Sequence, residues 1–345
     1  GEGKTALFEC DESFKVHKSP VIFDMYRYGT RYDARKEIDG WCEAGFDDSD
    51  WEYAKTAATP EGEKRLCNAE PIKTQTELKP LSIEFQKDFC YLHTSLSEEG
   101  KPLEFTHIDG GFIYDFGYNC AGVCRLKIKG ERGQKITMRH GECLKDGKFN
   151  INSIYTVLDD YKNYIDLLQT DVYILRGDDE EIFVPPFTYH GFRYVFVEGL
   201  TEEQATPDLL TYIVMNSDIK KRAEFSSSDE TLNKLYDMGI RADRANFYYF
   251  PTDCPHREKN GWTGDASFSA EQILLNFKAS DSLGEWLCSV RHSQKENGML
   301  PGIVPTGGWG YDWGSGPAWD SVCVNLPYYC YKFDGREDIL RDNAD

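Results

Sequence analysis

Residues 111–130 read GFIYDFGYNCAGVCRLKIKG, and this stretch decides the class of fold. β-Branched and aromatic residues fill two runs within it, GFIYDFG and VCRLKIKG, and a glycine ends each run. Runs of this kind are typical of β-strands. Similar runs follow at 135–142 (KITMRHGE), 171–177 (DVYILRG) and 193–199 (RYVFVEG). With turn residues between the runs, the pattern predicts a jelly-roll-like β-sandwich over residues 71–218.

Two short segments in this region have the composition of hairpin turns. They are KGERGQ at 129–134 and LKDGKF at 144–149. The pair Asp146–Gly147 is the stronger signal, because type I′ turns need positive φ at both central residues.

The sequence before the sandwich predicts a separate β-rich module over residues 1–70. Short apolar runs alternate there with turns that combine aromatic and acidic residues, as in CEAGFDDSDWEYA at 42–54. Charged sequence with the composition of a linker follows at 59–80.

The pattern changes to helices over residues 219–345. A Ser/Asp cluster at 226–229 can cap a helix, and Leu232, Leu235, Met238 and Ile240 then form an approximately helical apolar stripe. Helical segments follow at 266–277, 280–294 and 318–333, with a Gly/Pro/aromatic loop between the last two. Because no strand–helix repeat is present, we predict a helical toroid or bundle rather than a TIM barrel. These helices are too few to close a toroid, so we interpret the chain as a fragment.

Composition restricts the partners. The 345 residues carry a formal net charge of −20, which disfavours nucleic acid and anionic membranes as partners. No apolar run is long enough for a membrane span, and the first residues lack a signal-peptide pattern. The 11 cysteines lack paired metal-ligand spacing, and we expect reduced, buried thiols in a cytoplasmic protein. The oligomeric state is left open, with a homodimer among the alternatives.

The most informative polar segment is DCPHREKNGWTGD at 253–265, named here the acidic motif. Its prolines favour a loop between two helices. Three carboxyl groups lie within it, those of Asp253, Glu258 and Asp265. A carboxyl group held against the Trp262 indole loses solvation, which raises its pKa toward that of a general acid. Arg257 can fix a carboxylate. The alternative is a solvated acidic loop with an internal arginine salt bridge, and the sequence alone leaves both open.

A second candidate cluster lies in the Gly-rich loop and the start of the following helix. Aromatic rings can stack on the C–H faces of a sugar while carboxylates accept its hydroxyl hydrogens. The alternative is that these rings only wedge between helices. The cluster consists of Trp309, Tyr311, Asp312, Trp313, Trp319 and Asp320.

Other kinds of site have weak support. The seven histidines are dispersed without ligand spacing, so we predict no metal site, and His190 is interpreted as a packed or hydrogen-bonded residue of the sandwich. No dinucleotide fingerprint, phosphate loop or nucleophile elbow is present, and we predict no cofactor.

The acidic motif resembles the signature of bacterial α-L-rhamnosidases, which is close to DCPxRE(R)xGWxGD. Other segments agree in the same order. YDARKEIDGW at 32–41 with GFDDSDW at 45–51 is similar to the N-terminal carbohydrate-binding-like domain of that family. PPFTYHGFRYVFVEG at 185–199 is similar to its β-sandwich, and GPAWDSVCVNLPYYCYKFDGREDIL at 316–340 to a later segment of its catalytic domain.

The resemblance implies β modules followed by the start of an (α/α)6 toroid that removes terminal α-L-rhamnose with inversion. Glu258 is then the general acid, and a rhamnose-containing glycoside is the substrate. Inversion needs a second carboxylate on the opposite face of the sugar; in the family that base lies downstream, outside this chain. The residues implied to bind substrate are Asp253, Arg257, Trp262, Asp265, Trp313, Trp319 and Asp320.

The chain departs from the family pattern at two places. Lys259–Asn260 replaces the usual arginine and apolar residue, which we expect to alter the rim of the pocket. WDS at 319–321 replaces the commoner WGDA, which leaves the register of Asp320 open by one residue. A non-catalytic carbohydrate-binding protein and a toroid enzyme for another sugar are the alternative functions.

Overall fold

The structure, a computed structural model, describes residues 9–59, 61–62, 64–92, 105–151, 154, 168–307, 310–312 and 316–344. The strands in these ranges are β1 Lys15–Val16, β2 Val21–Met25, β3 Gly29–Asp33, β4 Glu52–Tyr53, β5 Ile72–Leu78, β6 Ser82–Gln86, β7 Phe89–Leu92, β8 Phe105–Ile108, β9 Gly111–Ile128, β10 Lys135–Gly141, β11 Cys143–Lys145, β12 Lys148–Asn150, β13 Thr170–Ile174, β14 Glu181–Phe183, β15 His190–Glu198, β16 Leu210–Ser217, β17 Lys220–Lys221, β18 Phe247–Tyr248, β19 Phe250–Pro251 and β20 Phe277–Lys278. The α-helices are α1 Glu230–Ala245, α2 Thr263–Asn276, α3 Ser280–His292, α4 Pro317–Asp320, α5 Val322–Asp334 and α6 Glu337–Asp342.

Ten of the strands form one sheet. Its path runs β2-β3-β13-β10-β15-β9-β16-β5, and β6 and β14 pair with β9 off this path. All of its pairings are antiparallel except that of β3 with β13. The N-terminal strands β2 and β3 therefore join the sheet of the sandwich. The domain bounds 1–70, 71–218 and 219–345 stay predictions.

The two runs predicted as separate strands in the opening stretch form the single 18-residue strand β9. Its first part pairs with β6 and β15, and its last part with β14 and β16. Gly122 permits this close packing, because a Cβ there would lie 2.0 Å from the carbonyl oxygen of Ile213. Side chains of β9 contribute to the main core, among them Tyr114, Phe116, Cys124 and Leu126.

One of the two predicted hairpin turns is confirmed and the other is wrong. Asp146 (φ 53°) and Gly147 (φ 75°) join the paired strands β11 and β12. KGERGQ connects β9 to β10, but β15 lies between these strands in the sheet. The segment is therefore a connection between strands that are not neighbours.

The predicted helices are present. Asp229 caps α1 by accepting hydrogen bonds from the backbone N–H groups of Thr231 and Leu232. Helices α2, α3 and α5 pack around a second core that contains Ile273, Trp286 and Leu326. The apolar stripe of α1 is largely exposed, since Leu232, Leu235 and Met238 are about half accessible.

All 11 cysteines are free thiols, as predicted. The expectation that they are buried is wrong for Cys10, Cys42, Cys67, Cys90 and Cys143, which are exposed. None of the described helices has the length and apolar content needed to cross a membrane.

Candidate active site

Residues 253–262 of the acidic motif lie in the connection between α1 and α2, as predicted, whereas residues 263–265 form the first turn of α2. After α1, the short strands β18 and β19 pair around Tyr249, whose φ is +70°. The chain then turns through residues 253–262 and enters α2 at Thr263.

Asp253 closes the loop on itself. Its backbone N–H donates to the carbonyl oxygen of Asn260 over 3.0 Å, and the Asn260 N–H donates to its Oδ1 over 2.8 Å. The Cys254 thiol donates to Oδ2 over 2.8 Å. Burial raises the pKa of Asp253 to about 6, against the opposing effect of these hydrogen bonds. Asp253 thus fixes the loop, and its binding of substrate stays a prediction.

Glu258 lies beside the indole, as the sequence predicted. The Trp262 Nε1–H donates to Glu258 Oε2 over 2.8 Å, and both side chains are half-buried. The contact is through the polar edge of the indole. Oε1 has no hydrogen bond to any residue in the described ranges.

Asp265 completes the group of three carboxyl groups. It lies in the first turn of α2 and is exposed. Partial desolvation raises its pKa, and the charge of Glu258 adds to this. The charges of Glu258 and Asp265 also raise the pKa of Asp253. The three acids therefore share one electrostatic environment.

The glycines of the motif allow other segments to approach its backbone. Trp262 forms a β-bridge with Ile303, and a Cβ at Gly261 would lie 2.1 Å from the carbonyl oxygen of Val304. A Cβ at Gly264 would lie 2.7 Å from the Trp319 ring. Only glycine fits at these two positions without a shift of the neighbouring segment.

Of the second candidate cluster, Trp319 lies against the acidic motif. Trp319, in α4, packs on Gly264, the residue before Asp265. Trp319 Nε1–H, a donor, and Asp320 Oδ1, an acceptor, are buried and lack hydrogen-bond partners among the described residues. Trp313 and Trp309 lie outside the described residues, and the predicted role of Trp313 stays a prediction.

The expected role of Arg257 as the partner of a carboxylate is wrong. Its side chain is exposed and makes no ion pair in the described part of the chain. The acids of the motif are held by a thiol, a backbone N–H and an indole instead. The alternative of an internal arginine salt bridge is excluded for the same reason, and a substrate contact of Arg257 remains a prediction.

The expectation that Lys259 and Asn260 lie on the pocket rim is also wrong. Lys259 is 3% exposed, and Asn260 is 6% exposed. The Lys259 ammonium donates to the carbonyl oxygens of Tyr26 and Tyr189, each over 2.5 Å. Burial lowers its pKa to about 7, with the Asp171 charge opposing this.

Arg27 also contacts the acidic motif, and the sequence did not indicate this contact. Its Nε donates to the backbone carbonyl of Glu258 over 2.9 Å, and its Nη2 donates to Asn260 Oδ1 over 2.5 Å. No local pattern could have predicted this contact, because 231 residues separate Arg27 from Glu258.

One group of described residues has ligand atoms close enough to hold a metal ion. His140, Asp171 and His190 are all buried in the sandwich. His190 Nε2 lies 2.9 Å from Asp171 Oδ2, which confirms the interpretation of His190 as a hydrogen-bonded sandwich residue. The two imidazole rings stack at 4.1 Å with planes 18° apart.

Three family sequence models match consecutive parts of the chain. They describe the alpha-L-rhamnosidase N-terminal domain (residues 1–76), the bacterial alpha-L-rhamnosidase concanavalin-like domain (106–216) and the bacterial alpha-L-rhamnosidase 6 hairpin glycosidase domain (220–344). The last match assigns the helices to the start of a helical toroid, as predicted.

Individual proteins agree with these matches. An alpha-L-rhamnosidase of Alteromonas sp. (strain LOR) is 32% identical over 351 residues, covering 99% of this chain and 34% of its own. A solved alpha-L-rhamnosidase from Dictyoglumus thermophilum is 32% identical with a TM-score of 0.82, over 96% of this chain and 34% of its own. The Streptomyces avermitilis alpha-L-rhamnosidase complexed with L-rhamnose is 29% identical with a TM-score of 0.80, over 96% of this chain and 29% of its own.

The chain thus spans about a third of the length of the relatives it matches. The matches nevertheless extend over its β modules and its helices in the order in which the sequence resembles the family. This chain belongs to the bacterial alpha-L-rhamnosidase family.

Proposed function

We propose that this protein removes terminal α-L-rhamnose from glycosides by an inverting acid/base mechanism in which Glu258 is the general acid. One observation carries the proposal: Glu258 is held by the Trp262 N–H through Oε2, while Oε1 has no bond to a described residue. A carboxyl group fixed at one oxygen presents the other to the glycosidic oxygen of a substrate. The L-rhamnose in the Streptomyces avermitilis relative supports the choice of sugar.

In the proposed reaction, the neutral deoxy sugar lies against the indoles of Trp262 and Trp319. Asp265 accepts hydroxyl hydrogens, and Asp253 keeps the loop closed and contributes lone pairs that its own contacts leave open. Glu258 donates its proton to the leaving oxygen as the glycosidic bond breaks. Water attacks from the opposite face, activated by a second carboxylate. None of the described carboxyl groups is assigned to that base.

The test is hydrolysis of a panel of p-nitrophenyl glycosides by the protein as encoded by its gene. We expect release of p-nitrophenol from the α-L-rhamnoside, with β-L-rhamnose as the first product by NMR. Glu258→Gln should lower kcat by about 10²-fold with a small change in KM, because p-nitrophenol needs the proton less than a poor leaving group does. Glu271→Gln, which removes a charge from the exposed side of α2, is the control and should retain activity.

Three outcomes would contradict parts of the proposal. Glycan binding without any cleavage indicates a carbohydrate-binding protein. Cleavage of a different glycoside assigns the site to another sugar. Full activity of Glu258→Gln removes Glu258 from the role of general acid.

A further inference from the structure

The segment that carries Glu258 has an unusual backbone. Lys259, the next residue, has a φ of +53°, a left-handed conformation that costs about 1 kcal/mol or more for a residue other than glycine. Such a conformation persists only where the surroundings hold it in place. The contacts that hold it determine how Glu258 is presented.

Three of those contacts come from the turn between β2 and β3, about 230 residues earlier in the chain, and a fourth is made by the Tyr189 carbonyl oxygen, which accepts from Lys259. The Arg27 guanidinium donates to the backbone carbonyl of Glu258 and to Asn260 Oδ1, on either side of Lys259. Lys259 in turn donates to the carbonyl of Tyr26, the neighbour of Arg27. The two segments therefore exchange hydrogen bonds in both directions, and the planar guanidinium fixes two acceptors at once.

The side chain of Glu258 is bound by a different residue, Trp262. Its backbone carbonyl is bound by Arg27, and its carboxyl group is bound by the Trp262 N–H. Two fixed points at opposite ends of one residue leave the carboxyl group little freedom. Arg27 lies in the part of the chain that matches the N-terminal domain of the family, and Glu258 lies in the part that matches the glycosidase domain.

We propose that Arg27 is a positioning residue for the general acid, so that the N-terminal β module contributes to proton donation by fixing the backbone of Glu258. This inference rests on the proposed function. It differs from a merely structural role in one consequence, because a misplaced acid harms only those substrates whose leaving group needs a proton.

The test compares two rhamnosides in the protein as encoded by its gene. Phenol is a poor leaving group that needs the proton, whereas 2,4-dinitrophenol leaves without one. We expect Arg27→Met to lower kcat/KM for the phenyl rhamnoside by about 10- to 100-fold and for the dinitrophenyl rhamnoside by less than about threefold.

The matched control is Arg65→Met. Arg65 also lies in the N-terminal part, and it donates to Glu285 of α3 over 2.5 Å, in an ion pair that does not include the acidic motif. This variant should leave the ratio of the two rates unchanged. Arg27→Gln keeps one donor and serves if Arg27→Met does not fold, with a smaller effect in the same direction.

Equal losses on both substrates would overturn the inference, since they indicate a structural role, and so would unchanged rates on both. Failure of the proposed function is distinguishable, because it shows in the unmodified protein as an absence of rhamnoside hydrolysis. If the unmodified protein cleaves another sugar, the same two leaving groups on that sugar test Arg27 equally well.

Discussion

The acidic motif has two sides that differ in their contacts. On the inner side, Lys259 and Asn260 are buried and bound to the turn at Tyr26–Arg27. On the outer side, Glu258 and Trp262 are half-buried, and their side chains are hydrogen-bonded to each other. The inner side therefore provides the support, and the outer side keeps an oxygen available for chemistry. We expect inner-side substitutions to change stability strongly, and outer-side substitutions to change activity with little change in stability.

The largest loss of stability at a fixed pH is expected where the motif meets residues 302–304. Gly261→Ala places a Cβ 2.1 Å from the Val304 carbonyl oxygen, which cannot move without breaking the bridge between Trp262 and Ile303. We expect a loss of about 3 kcal/mol in the free energy of unfolding, measured by urea titration. Gly239→Ala in α1 is the control, since the nearest atom is the end of the flexible Gln272 side chain. A loss of the same size in both variants would contradict the close approach.

The second predicted effect is a pH dependence of the stability that Lys259, on the inner side, contributes. Burial lowers the pKa of Lys259 to about 7 in the folded protein. Between pH 7 and about 10 the unfolded chain then holds more protons than the folded one, so the stability contributed by Lys259 grows as pH rises. The difference in unfolding free energy between wild type and Lys259→Met should increase over this range by as much as about 4 kcal/mol. Parallel stability curves would show that Lys259 keeps an ordinary pKa.

The third effect concerns Asp253, with the opposite sign. Its folded pKa of about 6 lies above that of the unfolded chain, so its stabilising contribution is complete below about pH 4 and is lost as pH rises through 6. Relative to wild type, Asp253→Asn should therefore gain up to about 3 kcal/mol in unfolding free energy between pH 4 and 7. A constant difference over that range would contradict the raised pKa.

The smallest effect on stability is expected on the outer side. Trp262→Phe removes the N–H that binds Glu258 and keeps an aromatic ring, which should cost about 1 kcal/mol. The activity of this variant on substrates whose leaving group needs a proton should nevertheless fall, because Glu258 Oε2 loses the hydrogen bond that holds the carboxyl group in place. Trp51→Phe, a half-buried tryptophan of the N-terminal part, is the control for general effects of the exchange. Loss of activity in both would contradict the local explanation.

The sequence predicted the features that depend on near neighbours in the chain. Glu258 and Trp262 are four residues apart, and Asp146–Gly147 contains all that its turn needs. The hydrophobic patterns that predict strands and helices also depend only on residues that are close in the sequence. KGERGQ was misinterpreted because segments that are adjacent in the chain need not be paired in the sheet.

Contacts between distant segments could not be predicted in this way. A lysine in a polar motif is normally exposed, yet Lys259 is buried because two carbonyl groups from other segments accept its hydrogen bonds. Arg27 is one of many arginines in the sequence, and only the folded turn between β2 and β3 brings it to Glu258. The outer side of the motif, with Glu258 and Trp262, could be predicted from the sequence. The inner-side contacts that support it depend on the tertiary structure.

The most direct test of the account is the dependence of Glu258→Gln on the leaving group. With proton donation removed, hydrolysis of phenyl α-L-rhamnoside should fall by about 10²- to 10⁴-fold, while 2,4-dinitrophenyl α-L-rhamnoside should be cleaved at close to the wild-type rate. An equal loss on both substrates, or no loss on either, would contradict the assignment of Glu258 as the general acid.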